Sequence, residues 1–139
     1  MGAASAAVMG DSLDGLRLNR ALKAGIVRLL SRQEHLNKIN VFRVPEGDTG
    51  TTPALTRHGG LGSLRGWRDR HAGKTLTRVA DAALDGARGN SGAILAQFFL
   101  GVGDRLGHLG DLRPDDFADG VDGGAAYARE SLSEPREGT

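Results

Sequence analysis

Cysteine is absent from this chain of 139 residues, which excludes disulfides and thiolate metal centres. That fits a reducing setting such as the cytoplasm. Aromatic residues make up only 4%, and β-branched residues are also sparse, which disfavours a sheet. No apolar run approaches the roughly 20 residues that a membrane span needs. A charge excess of either sign is missing too. The net charge is +1, so no strong field points to nucleic acid, an acidic substrate or a membrane surface. Residues 1–9 lack the basic start of a secretory signal. Residues 1–11 therefore read as a disordered tail, with a single domain over 12–139, a suitable length for one domain or part of one.

Glycine is abundant: 22 residues, about twice the usual share. With plentiful alanine and leucine, this favours helices joined by glycine-rich turns. A first helix is expected over 11–39, capped by Asp11 or Ser12. Leu13, Leu16, Leu22, Ile26, Leu29 and Leu30 recur in it at helical spacing. Gly25 costs its interior about 1 kcal/mol relative to alanine and would mark close packing against a neighbour. Pro45, Gly47 and Gly50 end that helix. A short helix is expected from Thr51 or Thr52, with Pro53 in its first turn. Residues 59–74, rich in Gly, Arg and His, read as a mobile loop. The next helix runs over Thr75 to Leu84, burying Leu76, Val79, Ala80, Ala83 and Leu84. Another starts at Ser91, with Ile94, Leu95, Phe98, Phe99 and Val102 apolar, and Gly101, Gly103, Gly107 and Gly110 end it. Pro114 opens the last, with Asp115 and Asp116 in the first turn and Phe117, Val121, Ala125, Tyr127 and Ala128 along it.

Two segments carry chemistry. In Asn40-Val-Phe-Arg-Val-Pro-Glu-Gly-Asp-Thr-Gly-Thr51, Glu46 and Asp48 are two apart and face the same way if extended. With the amide oxygen of Asn40 they form an oxygen-only set of the kind that suits magnesium. Gly47 and Gly50 let a ligand approach closely, while Thr49, Thr51 and Thr52 offer hydroxyls to phosphate or metal-bound water. The same residue types also make an ordinary exposed turn. In Gly86-Ala-Arg-Gly-Asn-Ser-Gly92, the turn and the following helix N-terminus can form an anion cradle. Arg88 adds charge, and Ser91 either caps the helix or binds phosphate. A plain helix-turn-helix reads equally from this segment. It is not a Walker A loop: the lysine is missing and no strand precedes it.

The remaining candidates read as structural. His35, His58, His71 and His108 form no i, i+4 pair and read as surface residues. Trp67 beside Arg65, Arg68 and Arg70 reads as a loop anchor rather than a basic-aromatic patch. Asp81 and Asp85 read as a solvated face, and Phe98 and Phe99 as core.

In order, Leu36-Asn-Lys-Ile-Asn-Val-Phe42, Glu46-Gly-Asp-Thr-Gly50, Gly86-Ala-Arg-Gly-Asn-Ser-Gly92, Ala126-Tyr127 and Pro135-Arg-Glu-Gly-Thr139 resemble the DhaL-like nucleotide-binding domain of the dihydroxyacetone kinase family, in particular its fatty acid kinase branch. The resemblance covers nearly everything after residue 12. It implies an all-α, antiparallel up-down helical barrel with ATP or ADP at one rim. Two Mg2+ ions would be held by acidic residues, and the glycine-rich loop would wrap the phosphates. Carried over, Glu46 and Asp48 would be metal ligands, with Asn40 at or beside the first ligand position. Thr49, Gly50, Thr51 and Thr52 with Gly89, Asn90, Ser91 and Gly92 would hold phosphate. Catalysis would be positioning and charge neutralisation, and a partner protein or domain would present dihydroxyacetone or a fatty acyl group. A homodimer is compatible with this; nucleic acid is not expected as a partner.

The chain departs from the family pattern at several places. Glu46 stands where the family usually has aspartate, one methylene farther from the backbone. Arg43 stands where the nearest branch has proline, and Thr52-Pro53 replaces Asn and an apolar residue. In the family, the Glu137-Gly138-Thr139 motif opens further helices. The expectation is therefore a C-terminally incomplete barrel with exposed apolar helix faces. A degenerate, non-catalytic binding module is the rival to a kinase.

Overall fold

In the computed structural model, the described residues are 12–39 and 51–132. They form six helices: α1 (Gly15–Ile39), α2 (Thr51–Leu55), α3 (Gly60–Leu64), α4 (Ala72–Gly86), α5 (Gly89–Leu106) and α6 (Pro114–Ser131). The described residues contain no strand. Their one β feature is an antiparallel bridge between Leu13 and Leu112, closed by N–H···O bonds of 2.8 Å in each direction. The all-α class expected from composition is the class found.

Helix α1 starts later than its apolar pattern suggests. The Asp14 carboxylate accepts the Arg17 N–H at 2.9 Å, so Asp14 satisfies a first-turn donor and caps the helix in place of Ser12. Asp11 lies outside the described residues. Leu13 belongs to the bridge, not to the helical stripe. Leu18 and Ile26 are buried, Leu22 and Leu30 pack beside them, and the four recur every four residues along one face. Leu29 falls off that face and is 47% exposed. Among the described residues, none comes within 4 Å of where a Cβ on Gly25 would stand, so they do not supply the close packing expected there.

The core divides into three connected groups. Leu18, Leu76, Leu106 and Leu112 centre one, and Ile26, Leu55, Leu64 and Val79 centre the second. Ala54, Ala83 and Ala96 form the third. Phe98 and Phe99 are only partly buried and stack edge to face against one another, with centroids 5.9 Å apart. Helix α4 buries Leu76, Val79, Ala80 and Ala83 as expected, but it begins at Ala72, and Leu84 is 49% exposed.

The segment 59–74 is not the free loop that its composition suggests. It contains α3 and delivers Leu64 to the core, fully buried. The buried Asn19 holds its far end, donating to the carbonyls of Leu64 at 3.1 Å and Trp67 at 2.9 Å. The Trp67 indole donates to Thr75 Oγ1 at 3.0 Å, and the Arg78 guanidinium lies 4.3 Å from its ring centre. Trp67 is thus an anchor. His71 is structural as well. Its Nδ1 accepts the Lys74 N–H at 3.1 Å and caps α4, so it is more than the plain surface residue expected.

Helix α5 runs straight through Gly101 and Gly103, which sequence alone reads as terminators, and ends at Leu106. Gly101 is where α6 crosses: a Cβ there would collide with the Gly123 carbonyl. From the other side, Gly120 and Gly124 pack onto Leu106 and Phe98. Pro114 opens α6, and the Asp116 carboxylate accepts the Arg113 N–H at 2.9 Å. Phe117, Val121 and Leu132 are 37%, 50% and 42% exposed.

Candidate functional site

The alanine-lined group of the core positions the site. Ala54 in α2, Ala83 in α4 and Ala96 in α5 are all fully buried, with Ala87 packed against them. Side chains this small let three helix backbones approach one another. At the closest point, a Cβ on residue 86 would lie 2.6 Å from the Pro53 carbonyl oxygen and 3.3 Å from the Cα of both Ala54 and Gly59. Glycine is therefore required at 86 by a neighbouring backbone. The first turn of α2, where the acidic segment ends, and the start of the glycine-rich turn lie against each other.

From Gly86 the chain needs two residues, Ala87 and Arg88, to turn into α5. Both are extended, with φ/ψ of −64°/139° and −136°/138°. Arg88 is the N-cap residue and supplies no side-chain cap. The first-turn N–H groups of α5 thus receive no capping oxygen from it. Together with the positive end of the helix dipole, they offer an anion position. Ser91 lies in the third position of the helix, not at the N-cap as one reading of the sequence had it; it is partly buried, and Gly92 is buried. The exposed Arg88 guanidinium donates to the neighbouring Ala87 carbonyl, at 3.2 Å.

Of the residues singled out from sequence, Gly89, Asn90, Ser91 and Gly92 form the first turn of α5, and Thr51 and Thr52 the first turn of α2. Asn40, Glu46, Asp48, Thr49 and Gly50 lie outside the described residues. Among the described residues, no group of three His, Asp or Glu side chains could hold a metal ion. Asp81 and Asp85 are exposed, as expected for a solvated face. No helix among the described residues is long and apolar enough to cross a membrane. Sequence reading missed the positioning role of Pro53, Ala54 and Gly86. Its only trace was the run of small residues flanking each loop.

Comparison with known proteins identifies the family. Residues 43–139 match the model of the DAK2 domain. Protein YloV of Bacillus subtilis is 32% identical over 128 residues, covering 92% of this chain and 23% of the relative. An uncharacterized protein of Staphylococcus saprophyticus is 30% identical over 131 residues, 94% of this chain and 24% of its own length. A Staphylococcus aureus (strain USA300) protein, also uncharacterized, is 30% identical over 115 residues. This chain spans less than a quarter of the length of each of these relatives. It belongs to the DAK2 domain family, the DhaL-type domain of the dihydroxyacetone kinases.

Proposed function

We propose that this domain binds ATP or ADP through Mg2+ at the junction of α2 and α5. In this reading it passes the γ-phosphate to an acceptor that a partner protein or domain presents, either a dihydroxyacetone-like hydroxyl or a protein-bound fatty acyl carboxylate. The observation that carries the reading is the seating of Gly86 against the Pro53 carbonyl. It brings the first turn of α2, into which the acidic segment leads, close to the turn that opens α5, whose N-cap residue Arg88 supplies no side-chain cap.

The residues fit a phosphate group in that place. The first-turn amides of α5 are donors without a side-chain cap, Ser91 adds a hydroxyl, and Arg88 adds a positive charge. The oxygen donors suited to magnesium, Asn40, Glu46 and Asp48, come from the segment leading into α2. When bound, magnesium would neutralise phosphate charge and hold the phosphate oxygens in place. The chain's own part is to hold the nucleotide, orient it and offset its charge through donors fixed before binding. Glu46 in place of the usual aspartate favours weaker metal binding, because magnesium tolerates little departure from octahedral geometry.

Titration calorimetry with ATP, in the presence and absence of magnesium, tests this reading. Magnesium-dependent binding is expected, reduced at least tenfold by Asp48→Ala. No heat at millimolar nucleotide would remove the assignment for this chain. Binding of nucleotide without phosphoryl transfer to any presented acceptor would favour the non-catalytic module.

A further inference from the structure

Helix α2 has only five residues, too few to be stable without tertiary support. Of its described side chains, Ala54 and Leu55, at the end of the helix, are fully buried. Leu55 enters the core beside Ile26, Leu64 and Val79, and Ala54 lies with Ala83 and Ala96. Apolar contacts at one end fix the depth of α2. Its tilt, and with it the place of its first turn, depends on what holds the backbone at that end.

The backbone groups there are the carbonyls of Pro53 and Ala54. Gly86 meets the first from one side, and Gly59 meets both from another. A Cβ on residue 59 would stand 2.1 Å from the Ala54 carbonyl oxygen and 2.6 Å from that of Pro53. The Thr56 hydroxyl also donates to the Pro53 carbonyl, at 3.3 Å. Backbone angles do not call for glycine at 59. Its φ of −127° lies outside the left-handed region, so the contact alone excludes a side chain. Gly59 is also firmly held. Its N–H donates to the Thr56 carbonyl at 2.9 Å, its carbonyl accepts the Ser63 N–H at 3.1 Å, and it is the N-cap residue of α3. The buried Leu64 ties α3 to the core, and Arg78 Nε donates to the Ser63 carbonyl at 2.6 Å. Of the two sides in contact, α2 is therefore the one that yields.

We infer that Gly59 is a positioning residue of the nucleotide site: with Gly86 it clamps the carbonyl end of α2, and so fixes the first turn of α2 relative to the start of α5. This rests on the reading of that junction as a site for ATP with magnesium. The neighbouring Gly60 supplies the contrast. A Cβ there would meet the Ala54 carbonyl oxygen, Ile26 Cδ1 and Val79 Cγ1, all at 3.6 Å, which is ordinary contact. Relief of the clash at 59 moves α2 by about 1 Å, and a misplacement of that size lowers the effect of positioned groups by about tenfold or more.

Titration calorimetry with ATP and magnesium on the full chain tests this, with wild type beside Gly59→Ala, Gly60→Ala and Leu76→Ala. Gly59→Ala should weaken binding by about tenfold or more, while Gly60→Ala stays within about twofold of wild type. Leu76→Ala separates positioning from stability. It opens a cavity in the core about 15 Å of helix away from Gly86, so it should lower the denaturant midpoint more than Gly59→Ala and still bind ATP within about twofold of wild type. In the ligand-free chain, the amide NMR signals of Thr51–Leu55 should move in Gly59→Ala and hold still in Gly60→Ala. If circular dichroism shows that Gly59→Ala loses its helices, Gly86→Ala takes its place, because its Cβ meets the Pro53 carbonyl at the longer distance of 2.6 Å. The Gly59 amide signal should then move together with those of α2. Wild type that binds ATP while Gly59→Ala binds it equally well overturns this inference alone. So does a loss in Leu76→Ala as large as that in Gly59→Ala, or a Gly59 signal that ignores Gly86→Ala. Wild type that binds no ATP with magnesium overturns the reading of the site, and this inference with it.

Discussion

Helix α5 is gripped by leucine on one side and by glycine on the other. Toward α1 and α4, it contributes Val102 and Leu106 to a group with Leu18, Leu76 and Leu112. Toward α6, the contact is backbone to backbone, Gly101 on Gly123, with Gly120 and Gly124 against Leu106 and Phe98. The first interface draws its stability from apolar area removed from water, at about 25 cal/mol per Å². The second brings two helices closer than side chains would allow, but it removes little large apolar surface, and Phe117 and Val121 are left facing outward. A helix can thus be firmly placed without being strongly buried. The small residues that place α6 are of the same kind as those that seat α2 on the glycine turn.

The contrast can be broken from either side. The largest effect is expected on the leucine side: Leu76→Ala, at a buried position among Leu18, Leu106 and Leu112, should cost about 2–5 kcal/mol by denaturant unfolding. On the glycine side, Gly101→Val drives a side chain into the Gly123 backbone and should cost about 1–3 kcal/mol. It should displace α6 while the fluorescence of the single tryptophan, Trp67 beside α4, stays unchanged. A Trp67 shift in that variant would mean that the two interfaces are not independent. Asn19→Ala should do the reverse. It strips donors from the Leu64 and Trp67 carbonyls, costs about 1–3 kcal/mol, and moves Trp67 emission to the red.

The smallest effect isolates α6. Tyr127, the single tyrosine, donates its hydroxyl to Asp104 on α5. That hydrogen bond first, and the negative charge of Asp104 second, raise its pKa above the ordinary value of 10.0. A raised value favours the folded state below pH 10, and that contribution is lost as pH climbs through the folded-state pKa. Ultraviolet titration of tyrosinate should therefore show a late transition, moved earlier by Asp104→Asn. An unmoved transition would remove the contact from the account of how α6 is held.

Much of this was legible from residue spacing. The α4 stripe of Leu76, Val79, Ala80 and Ala83, the proline start of α6 and the short helix at Thr51 all follow from period and cap chemistry. The family could be read from the two loops in their order. What sequence could not show was tertiary use of a residue with a strong local preference. Gly101 and Gly103 read as stops because glycine weakens helices in isolation, yet the helix runs through both, and α6 needs Gly101 small. The segment 59–74 read as loose because its composition is polar. Its fixing points are one buried leucine and the distant Asn19, neither of which makes a pattern. Gly25 failed in the opposite way: it suggested a neighbour that the described residues do not supply. At the site, the seating of Gly86 on Pro53 was invisible because no residue in it is chemically distinctive.

The pair of hydrogen bonds between Leu13 and Leu112 has a consequence for how the chain is made. It fastens the lead-in of the first described helix to the lead-in of the last, so it closes only after nearly all the residues between them have left the ribosome. Until then, Leu18 and its neighbours lack one wall. Such distant closure is slow relative to local helix formation, and a nascent chain waits with that apolar side open for as long as synthesis takes.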